Sequence, residues 1–184
     1  MIILLVSVAL FVHVVGAMGL FLGLGLEWAI LVRIDRAPSP EEVLTQIRDL
    51  GLLRRLYIPS VLAIVLSGAY LATVFNVWSQ GWIEVALVSL ALIALIGGLL
   101  TGRVIIGVES ALQGEPSHLT EAVRRVLTDS PLWLSVRLRV AITLGVVFLM
   151  SAHPQFGGAL LTLAVAALAG LVPINPRRTQ AAAR

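Results

Sequence analysis

Residues 1–36 read MIILLVSVALFVHVVGAMGLFLGLGLEWAILVRIDR. From Met1 to Val32 only His13 and Glu27 interrupt an apolar run, and Arg33 and Arg36 follow directly. At about 1.5 Å of rise per residue a helix of this length is about 48 Å long, more than the ~30 Å of hydrocarbon in a bilayer. The stretch is therefore predicted to be a membrane-spanning helix that tilts or projects beyond the lipid. Residues 1–12 with Gly16 and Ala17 share the look of a signal peptide. The basic segment that opens one is missing, so the stretch is expected to be retained.

The rest of the chain has the same character. Its 184 residues are 59% hydrophobic and 12% charged, with a mean hydropathy of +1.00. That composition excludes an ordinary soluble globular protein. The spacing of apolar runs predicts a single all-α membrane domain over residues 1–184, with five spans near 3–32, 57–75, 83–106, 134–152 and 157–172. All 13 basic residues are arginines, and they fall in alternate gaps only. Arg33, Arg36, Arg48, Arg54 and Arg55 follow the first run. Arg103, Arg124, Arg125, Arg137 and Arg139 follow the third, and Arg177, Arg178 and Arg184 follow the last. Short loops rich in arginine stay cytoplasmic, so the pattern predicts an outer N-terminus and an inner C-terminus.

Between the spans, Ser39-Pro40-Glu41-Glu42 has the form of a helix start with a capping box. A short cytoplasmic helix is expected to run to Leu50 and stop at Gly51, before a second span from Tyr57. Asn76, Trp78, Gln80 and Trp82 form an uncharged turn suited to the membrane interface. Residues 117–129 alternate Leu119, Val123 and Val126 with Glu121, Arg124 and Arg125, which predicts an amphipathic helix on the inner surface. Ser130-Pro131 starts the fourth span and His153-Pro154 ends it. The spacings Gly19-x-x-x-Gly23 and Gly98-x-x-x-Gly102 predict close helix contacts.

Ionisable side chains inside spans are the candidates for function. His13 and Glu27 are fourteen residues apart and share a helix face, with Gly16, Leu20 and Gly23 between them. This predicts a groove with a polar group at each end, about 21 Å apart along the axis. His153 falls on the outer side, as His13 does. Two imidazoles beside small residues suit a b-type haem, which makes His13 and His153 candidate iron ligands and Gly16 and Gly23 candidate cofactor contacts. The plainer expectation has His13 hydrogen-bonded to a neighbouring helix and His153 in an interfacial turn. Glu27 is expected to pair with Arg33, Arg103 or Arg139, or to relay protons. His118 is expected to be a solvated residue at a helix start, and Glu84 to reach water beside Trp82.

There is no cysteine, and hence no disulfide or thiolate metal site. Phosphate-binding and hydrolase motifs are also missing. The formal charge is only +3, and the arginines flank apolar helices instead of forming a stripe. Nucleic acid is therefore excluded as a partner, and anionic lipid headgroups are the expected counter-charge.

His13-Val-Val-Gly16 with Gly23, and Gly81-Trp82 opening the third span, resemble the HemJ and CopD-like membrane proteins. That resemblance implies haem b at His13. HemJ has a lysine four residues after that tryptophan, where this chain has Ala86. Glu27 with Arg33 and Arg36, Gly68-Ala-Tyr70, Gly81-Trp82 and Leu149-Met150 before His153-Pro154 resemble a family of predicted bacterial integral membrane proteins. The expectation is a bacterial inner-membrane protein that binds a hydrophobic redox cofactor or serves a redox complex. The alternatives are a non-catalytic subunit held to partners or to its own copies, and a small transporter.

Overall fold

A computed structural model of the protein describes residues 2–37, 39–103, 106 and 131–172. The described residues are nearly all helical. Helix α1 spans Ile2–Arg36 and α2 spans Pro40–Val74, each 35 residues long. Helix α3 spans Gly81–Ile96 and continues as a π-turn over Gly97–Thr101. Helix α4 spans Pro131–Ala152 and α5 spans Phe156–Leu171. Four of these are long and apolar enough to cross a membrane: α1, α2, α3 with its π-turn, and α4. Helix α5 is apolar and, at 16 residues, about 24 Å long. The predicted surface helix at 117–129, His118, Ser130 and the basic tail lie outside the described residues.

The start of α2 follows the sequence signal. Ser39 has extended dihedrals and its Oγ accepts from the Glu42 amide at 3.3 Å. The predicted stop does not occur. Helix α2 runs through Gly51 into the second span, so the short cytoplasmic helix and the span are one element. Gly51 is exposed with nothing packed against it, and no glycine has positive φ among the described residues. A glycine inside a helix costs only about 1 kcal/mol relative to alanine. Val43, Ile47, Leu50 and Leu53 keep their helical spacing across it. They bury against Ile30, Leu31 and Ile34 of α1 and Leu132 and Val136 of α4. The end of α1 thus pairs with the start of α2 over an apolar core that α4 completes.

A second core joins Val85 and Ala86 of α3, Leu149 of α4 and Ala159 of α5. The molecule therefore has two parts. One is the α1–α2 hairpin, and the other is the α3–α4–α5 group. They meet mainly where the inner half of α1 packs on α4, with Trp28 set edge-on to Trp133 at 5.2 Å.

Glycines make the hairpin seam tight. A Cβ at Gly16 would lie 2.9 Å from the Ser60 carbonyl oxygen, and one at Gly23 would lie 2.8 Å from the Tyr57 ring. Gly19 is equally crowded by Ser60. The Gly19/Gly23 pair thus does what its spacing predicts. Gly98 and Gly102 do not. Gly98 faces open space and Gly102 meets only the Gly97 carbonyl at 4.0 Å, because the helix widens into the π-turn there.

Candidate functional site

Two places gather polar side chains between the helices, and both lie on the α1 face that carries His13 and Glu27. At the first place, Glu27 is buried at 2% exposure and Arg139 at 4%. They form an ion pair through Arg139 Nη2 and Glu27 Oε1. Tyr57 of α2 donates its hydroxyl to Glu27 Oε2 at 2.6 Å. Thr101, at the end of the π-turn, donates to Glu27 Oε1 at 3.2 Å and accepts from Arg139 Nη2 at 3.1 Å. Ser135 of α4 lies 3.0 Å from the Thr101 hydroxyl. The Ser135 hydroxyl also donates to the Ile96 carbonyl at 3.5 Å. Arg139 Nε donates to the Ser135 carbonyl at 3.3 Å, which folds the side chain back toward the start of α4.

Every group facing the carboxylate is a donor, so both of its oxygens act as acceptors. Three of the four helices at this point reach it with side chains: α2 through Tyr57, α3 through Thr101 and α4 through Arg139. The guanidinium carbon also sits 5.9 Å from the centre of the Tyr57 ring. Gly97 has to be small, since a Cβ would lie 3.1 Å from Arg139 Nη1. The π-turn is thus used twice, once to admit the arginine and once to present Thr101. A buried ion pair depends on such surrounding hydrogen bonds to offset its desolvation.

The second place is simpler. His13 is half-buried, and its Nδ1 lies 3.1 Å from the Ile64 carbonyl and 3.2 Å from Ser67 Oγ. Ser67 already donates to the Ala63 carbonyl. The proton between the ring and these two oxygens is therefore assigned to Nδ1. Gly68 admits the ring, since a Cβ there would lie 3.1 Å from His13 Cε1.

The remaining candidates are placed apart. His153 is exposed, with φ of 45°, in the turn between α4 and α5. Its ring lies 4.7 Å from that of Trp82, in a shallow pocket shared with Gln80 and Phe156. His13 thus leans on α2 and His153 on the start of α3. The groove expected between His13 and Glu27 is filled by α2, with Ser60 and Ala63 against Gly16 and Tyr57 against Gly23. Glu84 is exposed, as its position beside Trp82 predicts. Of the three arginines expected to partner Glu27, Arg139 is the one that does, while Arg33 and Arg103 are exposed. Arg137 instead donates to the Val172 carbonyl at 3.3 Å, closing the end of α5.

Tyr57, Thr101, Ser135 and Gly97 carry no sequence signal for this cluster. A hydroxyl inside an apolar run was the available hint, and the chain has many. Among the described residues no group of three or more His, Cys, Asp or Glu is arranged to hold a metal ion. Comparison with protein-family models, characterised proteins and solved structures finds no match to this chain.

Proposed function

We propose that the protein is a five-span subunit of a bacterial inner-membrane complex, outside at its N-terminus and inside at its C-terminus, and that it contributes structure, not chemistry. The observation that carries this reading is the set of partners that Glu27 has. Its oxygens are held by Arg139, Tyr57 and Thr101 from three other helices, so the carboxylate ties those helices together. The cluster acts as a clamp between the hairpin and the α3–α4–α5 group. Outside that clamp the outer half of α1 presents Ile3, Phe11 and Met18, all at least 66% exposed, as surface for partner helices or lipid. The alternation of arginine-bearing and arginine-free gaps supports the orientation, and the resemblance to bacterial predicted integral membrane proteins supports the membrane.

Native mass spectrometry after extraction in a mild detergent tests the reading. A defined assembly heavier than the 19.6 kDa chain, lost in Glu27→Ala and kept in His13→Ala, is the expected result. A free monomer that carries a stoichiometric chromophore overturns it.

A second reading, haem b with His13 and His153 as candidate ligands, is favoured by the Nδ1 contact of His13. Imidazoles that bind a metal usually give their other N–H to a carbonyl, and here Ile64 accepts it. A Soret band in the purified protein that disappears in His13→Ala supports this reading, and a featureless spectrum after added haemin removes it.

A further inference from the structure

The buried cluster also fixes where the membrane boundary falls, and the arginines can be measured from it. Tyr57, Glu27, Thr101 and Ser135 lie at one level, since they are joined by hydrogen bonds. Trp28 and Trp133 sit beside that level, as interfacial tryptophans do. Trp78 and Trp82 lie at the opposite end, with Trp82 nineteen residues before Thr101, which is about 28 Å of helix. From Tyr57 to Val74 is about 26 Å. Both lengths match the ~30 Å hydrocarbon layer, so the cluster marks one edge of it, the inner one in the proposed orientation.

Beyond that edge lie Arg54 and Arg55, about 3–4.5 Å along α2, and Arg103, about 3 Å past Thr101. Arg33 follows at about 9 Å on α1. The headgroup layer on one side is about 5–8 Å deep, so these four guanidinium groups are within reach of it. Arg36 and Arg48 stand about 13.5 Å out, from which long side chains can bend back. All six are exposed, and none forms an ion pair or a hydrogen bond among the described residues. Two acidic residues are set farther away. Glu41 and Glu42 lie about 22–24 Å from the Tyr57 level at the tip of the hairpin, with Asp49 at about 12 Å. Arg54, Arg55, Arg103 and Arg33 thus stand nearer that edge than Asp35, Asp49, Glu41 and Glu42 do.

We infer that Arg54, Arg55 and Arg103, with Arg33 behind them, form a collar that binds phospholipids of net negative headgroup, and that the phosphate of a bilayer lipid is its ligand. The inference rests on the membrane placement in the proposed orientation but not on the subunit role. Charge complementarity selects the occupant, since unpaired guanidinium groups at phosphate depth attract anionic over zwitterionic lipid by roughly fivefold each.

The test uses the full chain alone in vesicles of phosphatidylcholine with 20–30% phosphatidylglycerol, roughly the anionic content at which juxtamembrane arginines act. Spin-labelled versions of the two lipids report the fraction held at the protein. The expected result is a phosphatidylglycerol preference of about tenfold or more. It falls to within about twofold in Arg54→Gln/Arg55→Gln/Arg103→Gln and at about 1 M salt, but not in Glu41→Gln/Glu42→Gln. Thermal unfolding of the triple variant should match that of the parent, because the three side chains are exposed. Equal retention of both lipids by the parent overturns the inference, as does a preference that survives the triple substitution. Full competition by soluble glycerol phosphate would reassign the collar to free phosphate. Failure of the chain to restrict either lipid would instead remove the membrane placement itself, whereas loss of the partner complex leaves this measurement unchanged.

Discussion

His13 and Glu27 occupy the same face of the same helix, yet they have become different kinds of residue. His13 meets one neighbour, α2, and stays half-exposed. Glu27 meets three neighbours and is buried at 2% exposure. The difference comes from where α4 crosses α1. Near Glu27 the α3–α4–α5 group closes on the hairpin, so Thr101 and Arg139 reach the carboxylate. Near His13 α1 has α2 as its packed partner, and Ile64 and Ser67 are its polar contacts. A charge is tolerated inside the first environment because donors surround it, while the second suits a neutral ring.

The most direct way to break this contrast is to strip Glu27 of its counter-charge. Arg139→Ala leaves a buried carboxylate held by two hydroxyls, and should lower stability by about 3–5 kcal/mol in detergent unfolding experiments. Combining it with Glu27→Ala should recover part of that loss, since the uncompensated charge is gone. If the double variant is no better than Arg139→Ala alone, the pair is not coupled.

The seam between the two residues offers a sharper comparison. Gly16→Ala places a methyl group 2.9 Å from the Ser60 carbonyl oxygen and should cost about 1–3 kcal/mol. Gly25→Ala, on a face with nothing within 4 Å, should change stability by less than about 0.5 kcal/mol or raise it slightly. Similar unfolding temperatures for the two variants would mean that α1 and α2 are not packed glycine to backbone.

The hydroxyls come next. Tyr57→Phe and Thr101→Val each remove one donor from Glu27, and each should cost about 0.6–1.7 kcal/mol, the range of interhelical hydrogen bonds in membranes. Unfolding curves of the two variants beside that of Arg139→Ala would rank the members of the cluster. The smallest effect is expected at the outer end. His13→Ala breaks one contact at a half-exposed site and should cost about 0.5 kcal/mol by the same measurement. A loss above that of Tyr57→Phe would reverse the contrast and give His13 the larger structural role.

Much of the fold was legible in the sequence. The apolar runs announced helices, Ser39 announced the start of α2, and Gly19 and Gly23 announced a close contact. Gly51 misled because a glycine acts as a stop only when a left-handed turn follows it. Here Val43 to Leu53 bury against α1, and that packing outweighs the small propensity cost. Gly98-x-x-x-Gly102 misled because the contact rule assumes regular α-helical geometry, which the π-turn interrupts. At the inner site, Glu27 and its three possible arginine partners were visible. The selection among them was not, because it depends on which helix packs beside α1.

Composition and the order of apolar and arginine-bearing segments determined by themselves that this is an all-helical chain with helices able to span a bilayer. Those properties follow from solvation, which acts on each segment separately. Only the tertiary structure decided that Arg139, 112 residues from Glu27, is its partner, and that Tyr57, Thr101 and Ser135 complete the site. It also decided that α2 fills the groove beside His13. These are outcomes of helix crossing, and a crossing is set by the fit of whole surfaces that no local stretch of sequence contains.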